Sequence, residues 1–222
     1  PTTVDMPTEL EKVSGDNRDF ELGICYFHTM STTHSHVSKK LLRSLPTPLA
    51  VCWKTLLRSS NPSEQVRQCW AMLELFLRYS SGVALAAYLR SEERTEAVES
   101  ALPGLERPSN GHYCVLLRET LRSFRENPEH CLNHLVSWYF TPKGKPSEAA
   151  KLLDELISSR NQDAHGVKRT DEELAQTAEK LTLQLQNLLW QAKWLIGYRL
   201  FKVSKEITLR NNDQRGQLHF YR

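Results

Sequence analysis

Between Lys151 and Ile196 the chain carries two successive apolar patterns of helical period, which constrain it to a pair of core-forming helices. In the first, Leu152, Leu153, Leu156 and Ile157 fall on one side of a helix and leave its other side polar. In the second, Leu174, Ala178, Leu181, Leu185, Leu188, Ala192 and Leu195 advance by alternating steps of four and three residues. Thr170 stands three residues before Glu173, a capping box for the second helix, while Ser147 and Gly166 are placed to start and end the first. Arg160-Asn161-Gln162-Asp163-Ala164-His165 lies at the junction. A strongly polar cluster where two antiparallel core helices meet is either a loop or a site.

The rest of the chain predicts more helix. Asn61 can cap, Pro62 fits the first turn and Glu64 completes the box for a long helix reaching Arg90, with Val66, Trp70, Leu73, Leu77, Ala84 and Ala87 on its core face. Ahead of it, Pro46 and Pro48 separate two short helices at Ser38 to Leu45 and Leu49 to Ser59. Behind it, the pattern allows at most a short helix at Glu92 to Ser100. Further helices are expected at His112 to Glu126, through Val115, Leu116, Leu117, Leu121 and Phe124, and from Pro128 or Glu129 to Phe140, where Thr141-Pro142-Lys143-Gly144-Lys145-Pro146 breaks the run. Phe20 to Phe27 suits a short strand or an extended arm. Beyond Tyr198, apolar runs on both sides of Asn211 to Gly216 predict two strands around a turn.

These patterns predict an all-α, up-and-down helical bundle with a small C-terminal β hairpin or strand appendage. The expected organisation is an N-terminal arm or end of a preceding domain at 1–37, partly disordered, a helical domain at 38–198, and a β appendage or start of a truncated following domain at 199–222. A chain that begins at Pro1 and ends inside a strand pattern is expected to be a processed or excised piece of something larger.

With 222 residues, 40% of them apolar and 25% charged, the chain can bury a substantial core. Its formal charge of +3 permits a polyanionic partner without demanding one. Five cysteines, at 25, 52, 69, 114 and 131, form no CxxC pair, and Cys52, Cys69 and Cys114 stand within apolar stretches. Buried free thiols in a reducing, cytoplasmic compartment are the expectation. No run reaches eighteen apolar residues and no secretory signal opens the chain, so no membrane association is expected.

The polar cluster has its own geometry. Arg160 and His165 are five residues apart, about 140° around an ideal helix, whereas Asn161 and His165 are four apart and share a face. One helix alone divides these groups. The same helix from a second subunit, packed about a two-fold axis, brings two arginines and two histidines to one cleft. Histidine exchanges a proton near neutral pH, and arginine offers a permanently charged donor fork to phosphate oxygens.

Arg160-Asn161-Gln162-Asp163-Ala164-His165 near the end of one helix, directly followed by another long helix, resembles the HEPN superfamily of helical-bundle endoribonucleases. The hallmark of that family is an arginine, an adjacent polar residue, a short spacer and a histidine. The likeness covers about Pro62 to Tyr198. It implies a metal-independent ribonuclease, active as a homodimer through the Arg160–His165 helix, that needs no cofactor and serves as a toxin or antiviral defence effector beside a sensor domain or antitoxin. Carried onto this chain, the 2′-hydroxyl of RNA attacks the adjacent phosphorus, leaving a 2′,3′-cyclic phosphate and a 5′-hydroxyl. His165 moves the proton and Arg160 neutralises the phosphate. Asn161 orients His165 or the phosphate, and Asp163 sets the histidine or the helix contact. The segments before Ser38 and after Tyr198 match no part of such a bundle.

Lys143, Lys145, Lys151, Lys168 and Arg169 are the candidate RNA-backbone contacts, framing the Arg160/His165 groove or forming only a solvated basic rim. A non-catalytic dimerisation or scaffold module of the same fold is the alternative function. A helix-end cap, which the dipole favours for Arg and His, accounts for the cluster in composition alone. The metal readings are weaker: Cys25, His28, His34 and His36 lack the second pair of a zinc ribbon, and His130 and His134 lack a third ligand. Lys143-Gly144-Lys145 lacks the other residues of a phosphate loop. The tryptophans at 53, 70, 138, 190 and 194 are read as core or dimer anchors rather than platforms for bases.

Overall fold

The computed structural model describes residues 41–164 and 169–196, followed by four three-residue strands. The expectations for Phe20 to Phe27, for residues 1–37 as a unit and for Gly166 fall outside the described residues. Helical residues 41–44 lead into α1, Thr47–Arg58, with Pro46 before its first turn and Pro48 within it. The next helix, α2, runs over Pro62–Arg90. Its start is the predicted one: Asn61 Oδ1 accepts from the Glu64 amide at 3.2 Å, satisfying a donor that the first turn leaves open. Then follow α3 at Glu96–Ala101, a 3-10 turn at Leu102–Leu105, α4 at Asn110–Ser123 and α5 at Asn133–Tyr139. The pair over the polar cluster is α6, Glu148–Ala164, and α7, Asp171–Gln191, with a 3-10 turn at Lys193–Ile196 after it. The described residues of 41–164 and 169–196 thus form an all-α helical bundle.

Several boundaries differ from expectation, two of them for a clear local reason. Ser109 caps α4 two residues earlier than predicted: its Oγ accepts from the His112 amide, and His112 Nδ1 accepts from the Ser109 amide, both at 3.2 Å. In place of a helix from Pro128 or Glu129, residues 124–132 form turns. There the His130 ring stacks on Phe124 at 3.9 Å and accepts from the Leu132 amide, so α5 starts only at Asn133.

The core is built around α2, which packs against α1, α4 and α7 and buries Val66, Cys69, Phe76, Leu77, Tyr79 and Tyr88 around much of its circumference. Covering a side chain such as Phe76 contributes about 1.5–3 kcal/mol. Because this helix is enclosed, even Ser80 and Ser81 are buried, and their hydroxyls donate to the carbonyls of Phe76 and Leu77 at 2.7 Å. Leu153, Leu156 and Ile157 of α6 and Ala178, Leu181, Leu185 and Leu188 of α7 are buried as the stripes required. Val115 of α4, placed on a core pattern by sequence, is instead 38% exposed. The start of α6 and the end of α7 line one groove, so the two helices run antiparallel. At that end Phe76, Trp138 and Trp194 form an edge-packed cluster with centroid separations of 5.7–6.2 Å, within the range where tilted aromatic pairs attract.

Past residue 196 the described strands are β1, Phe201–Val203, β2, Thr208–Arg210, β3, Asp213–Arg215, and β4, Leu218–Phe220. β1 pairs antiparallel with β4 and β2 with β3. The strand at Asp213–Arg215 occupies residues that the sequence pattern assigned to a turn. Among the described residues, no helix is long and apolar enough to cross a membrane.

Candidate functional site

The C-terminal end of α6 carries Arg160, Asn161 and Asp163; His165 and Lys168 lie outside the described residues. Asp163 is the fixed point of this end. Its Oδ2 accepts from Trp70 Nε1 on α2 at 2.7 Å, and its Oδ1 pairs with Nη1 of Arg169 in the lead-in to α7. The two charged side chains are only 16% and 21% exposed. Removed from most of the solvent, such a pair holds its geometry more firmly than a surface pair does. One carboxylate therefore ties together α2, α6 and the approach to α7. Of the two roles weighed for Asp163, the observed contacts are those of a helix tie.

Thr170 continues the arrangement. Its amide donates to Glu173 Oε2 at 2.8 Å, and the Glu173 amide donates to Thr170 Oγ1 at 3.2 Å. Those hydrogen bonds, from the Thr170 amide first and its hydroxyl next, hold the Glu173 carboxyl below its ordinary range, with a smaller contribution from Arg169. The two ends of the connection between α6 and α7 are thus both anchored.

Arg160 is half-buried and makes no ion pair among the described residues; Asn161 is exposed. An arginine whose fork is not held by an acid can meet an incoming phosphate without first breaking a pair. On ideal helical geometry Arg160 and Asp163, three residues apart, are neighbours on one flank, so the tie to Trp70 also steadies the turn that bears Arg160.

The candidate RNA contacts separate into two groups. Lys143 and Lys145 are exposed in the turn before α6, and Lys151 is exposed in its first turns, bonded to Glu148 at 2.6 Å. From Glu148 to Arg160 the helix rises about 18 Å, and Lys151, nine residues before Arg160, faces about 180° away from it. Within one chain these lysines do not frame Arg160. Arg169 does lie at the right end, but it is engaged by Asp163 and offers no open rim charge.

The turn holding Lys143 and Lys145 is well built. The Thr141 amide donates to Lys145 O and the Gly144 amide to Thr141 O, both at 2.8 Å, while the Lys145 amide donates to Thr141 Oγ1 at 3.2 Å. Gly144 has φ +73°, and the Arg125 guanidinium lies where a Cβ would sit. The positive φ favours glycine there, while a Cβ would displace only the end of the flexible Arg125 side chain.

The remaining reactive groups are quiet. Cys114 donates to Asp154 Oδ1 at 3.6 Å beside Tyr139, and burial, then the nearby Asp154 charge, pushes its thiol up to about 11. Cys69, bonded with Thr182 at 3.6 Å, is likewise pushed up to about 11 by burial. Neither is a thiolate near neutral pH, so neither is poised as a nucleophile. Cys52 is half-buried and Cys131 exposed. His130 is occupied by Phe124, and among the described residues no group of three or more His, Cys, Asp or Glu is placed to hold a metal. Of the tryptophans, Trp53, Trp138 and Trp194 are buried, Trp70 serves Asp163, and Trp190 is 38% exposed.

No protein-family model matches the chain, nor does any curated protein or solved structure.

Proposed function

We propose that the chain is a metal-independent endoribonuclease of the HEPN type, a toxin or antiviral defence effector acting on RNA as a homodimer. The observation that carries this reading is Arg160, without an ion pair among the described residues near the end of α6 while its neighbour Asp163 is tied to Trp70 and Arg169. That combination, such a guanidinium on an anchored turn, suits a group that must stabilise charge developing on a phosphate. In the reading, His165 takes the proton from the 2′-hydroxyl or returns it to the leaving 5′-oxygen, and Arg160 binds the non-bridging oxygens. Asn161 orients the histidine or the phosphate, and a two-fold axis along α6 brings the partner's equivalents to the same cleft. The bundle is then HEPN-like, the paired strands within 199–222 belong to a β hairpin or strand appendage, and a sensor domain or an antitoxin controls the activity.

A second reading is a non-catalytic dimerisation or scaffold module. It is favoured by the same Asp163 tie, which gives part of the motif a purely structural use. The two are separated by incubating purified protein with a mixed-sequence structured RNA in EDTA, beside Arg160→Ala and His165→Ala. The nuclease reading expects cleavage by the native chain alone, with both variants folded and dimeric; equal cleavage by a folded variant removes its residue from the mechanism.

A further inference from the structure

One face of α2 is left open by the described residues. From Tyr79 to Leu89 this helix runs about three turns without a charged side chain on any side. A helix with no charged face is covered all round in the assembly where it works. In the protomer, however, α1, α4 and α7 close only part of the circumference. Gly82, Ala86 and Leu89 are exposed, Leu89 by 56%, and Leu75 and Leu85 beside them are half-buried. With exposed Ala71 they fall on one stripe about 100° wide. Gly82 is a separate observation. A glycine inside a helix weakens it relative to alanine, and nothing in the described protomer asks for one, since a Cβ added at Gly82 meets no atom within 4 Å. What the missing side chain allows is the close approach of a backbone from outside.

The charges around the stripe select its occupant. Glu74, Arg78, Gly82, Ala86 and Arg90 follow one another at intervals of four and form a ridge of the helix surface, with an acid at one end and a base at the other. Such a ridge is complementary to itself reversed. Two copies crossed at about −50°, the commonest class of helix packing, bring their ridges into line. With the ridges antiparallel about a two-fold axis at Gly82, Arg90 of each copy meets Glu74 of the other, and Arg78 lies over the small side chain of Ala86. Glu74 pairs with Arg78 in its own chain but stays 42% exposed, which leaves it accessible to a second guanidinium. We propose that this face of α2 docks on the same face of a second copy of the chain, antiparallel about Gly82, with Leu85 and Leu89 of both copies closing over the two glycines. The contact uses a different helix from the α6 axis and holds whether or not the chain cleaves RNA. Where both contacts form, dimers join into larger assemblies, because a second isologous interface leaves further faces open.

The test measures the mass of the full chain by sedimentation equilibrium from about 1 to about 300 µM, a range that covers an interface at the weak end. Ala86→Glu/Leu89→Glu changes two exposed positions and places acids in the contact; circular dichroism melting confirms that it folds. The native average mass is expected to exceed that of this variant about twofold at the highest concentration, one isologous contact having been lost. The register is read separately. Gly82→Cys oxidised with diamide is expected to cross-link to the same position of a second copy, located by peptide mass spectrometry, because a crossing at glycine brings the two Cα atoms within the about 4.4–6.8 Å that a disulfide spans. Gln176→Cys, exposed on α7, is expected not to. Equal native and variant masses at every concentration overturn the pairing, and equal masses of a dimer leave the α6 axis standing without it. Association that Ala86→Glu/Leu89→Glu abolishes while Gly82→Cys fails to cross-link to itself also overturns the pairing, and gives the face another occupant or register.

Discussion

The two ends of the α6–α7 pair treat their charges in opposite ways. At the Arg160 end, Asp163 and Arg169 neutralise each other and Trp70 donates to the second carboxylate oxygen, while Arg160 makes no ion pair among the described residues. At the Lys143 end, two lysines stand unpaired on a rigid turn and a third is exposed across the groove. The first end uses charge to fix geometry; the second displays it. Charge density along the sequence does not distinguish these uses, because what decides them is the partner, and the partner of Asp163 is 93 residues away.

The comparison breaks first at Arg160 and His165. Arg160→Ala is expected to abolish cleavage, by a factor of about 10²–10³ or more for loss of a charge contact made in the transition state, whereas Lys151→Ala, on the opposite face, changes kcat less than about twofold. Next comes Asp163→Ala, which strands the largely buried Arg169 and removes the Trp70 acceptor. It should lower stability in urea unfolding by about 2–3 kcal/mol, and Asp163→Asn, which keeps an acceptor for Trp70, by less. At the other end Gly144→Ala meets both the positive φ and the Arg125 guanidinium; a cost of about 1–2 kcal/mol is expected from the backbone alone, with no effect on dinucleotide cleavage. The smallest effect concerns pH. Cys69 and Cys114 hold their protons up to about 11, against about 8.5 in the unfolded chain. Their contribution to stability is thus complete below about 8.5 and is lost as pH rises toward 11, because the unfolded chain releases protons that the fold retains. Iodoacetamide at pH 8 should accordingly modify exposed Cys131 and spare both buried thiols until the protein is unfolded.

Much of the bundle was legible because its signals are local. The Asn61 cap and the Thr170 box name their helices' first residues, and the four-three stepping of α7 names its buried face. The helix expected from Pro128 or Glu129 is shorter than that, because the His130–Phe124 stack takes its first residues into turns. The candidate site was only half legible. A helix end bearing Arg160 and Asn161 follows from spacing, and the 1.5 Å rise already places Lys143 and Lys145 far from it in one chain. The Asp163–Trp70–Arg169 tie does not follow, nor does the exposure of Trp190, since a tryptophan in an apolar period reads as core until the neighbouring helices show where they stop.

The most direct test is cleavage of a structured RNA in EDTA by the native chain and by His165→Ala, with the product ends analysed. The account predicts fragments with 2′,3′-cyclic phosphate and 5′-hydroxyl ends from the native dimer and none from the variant. Undiminished cleavage by folded His165→Ala, or fragments with 3′-hydroxyl and 5′-phosphate ends, would contradict it.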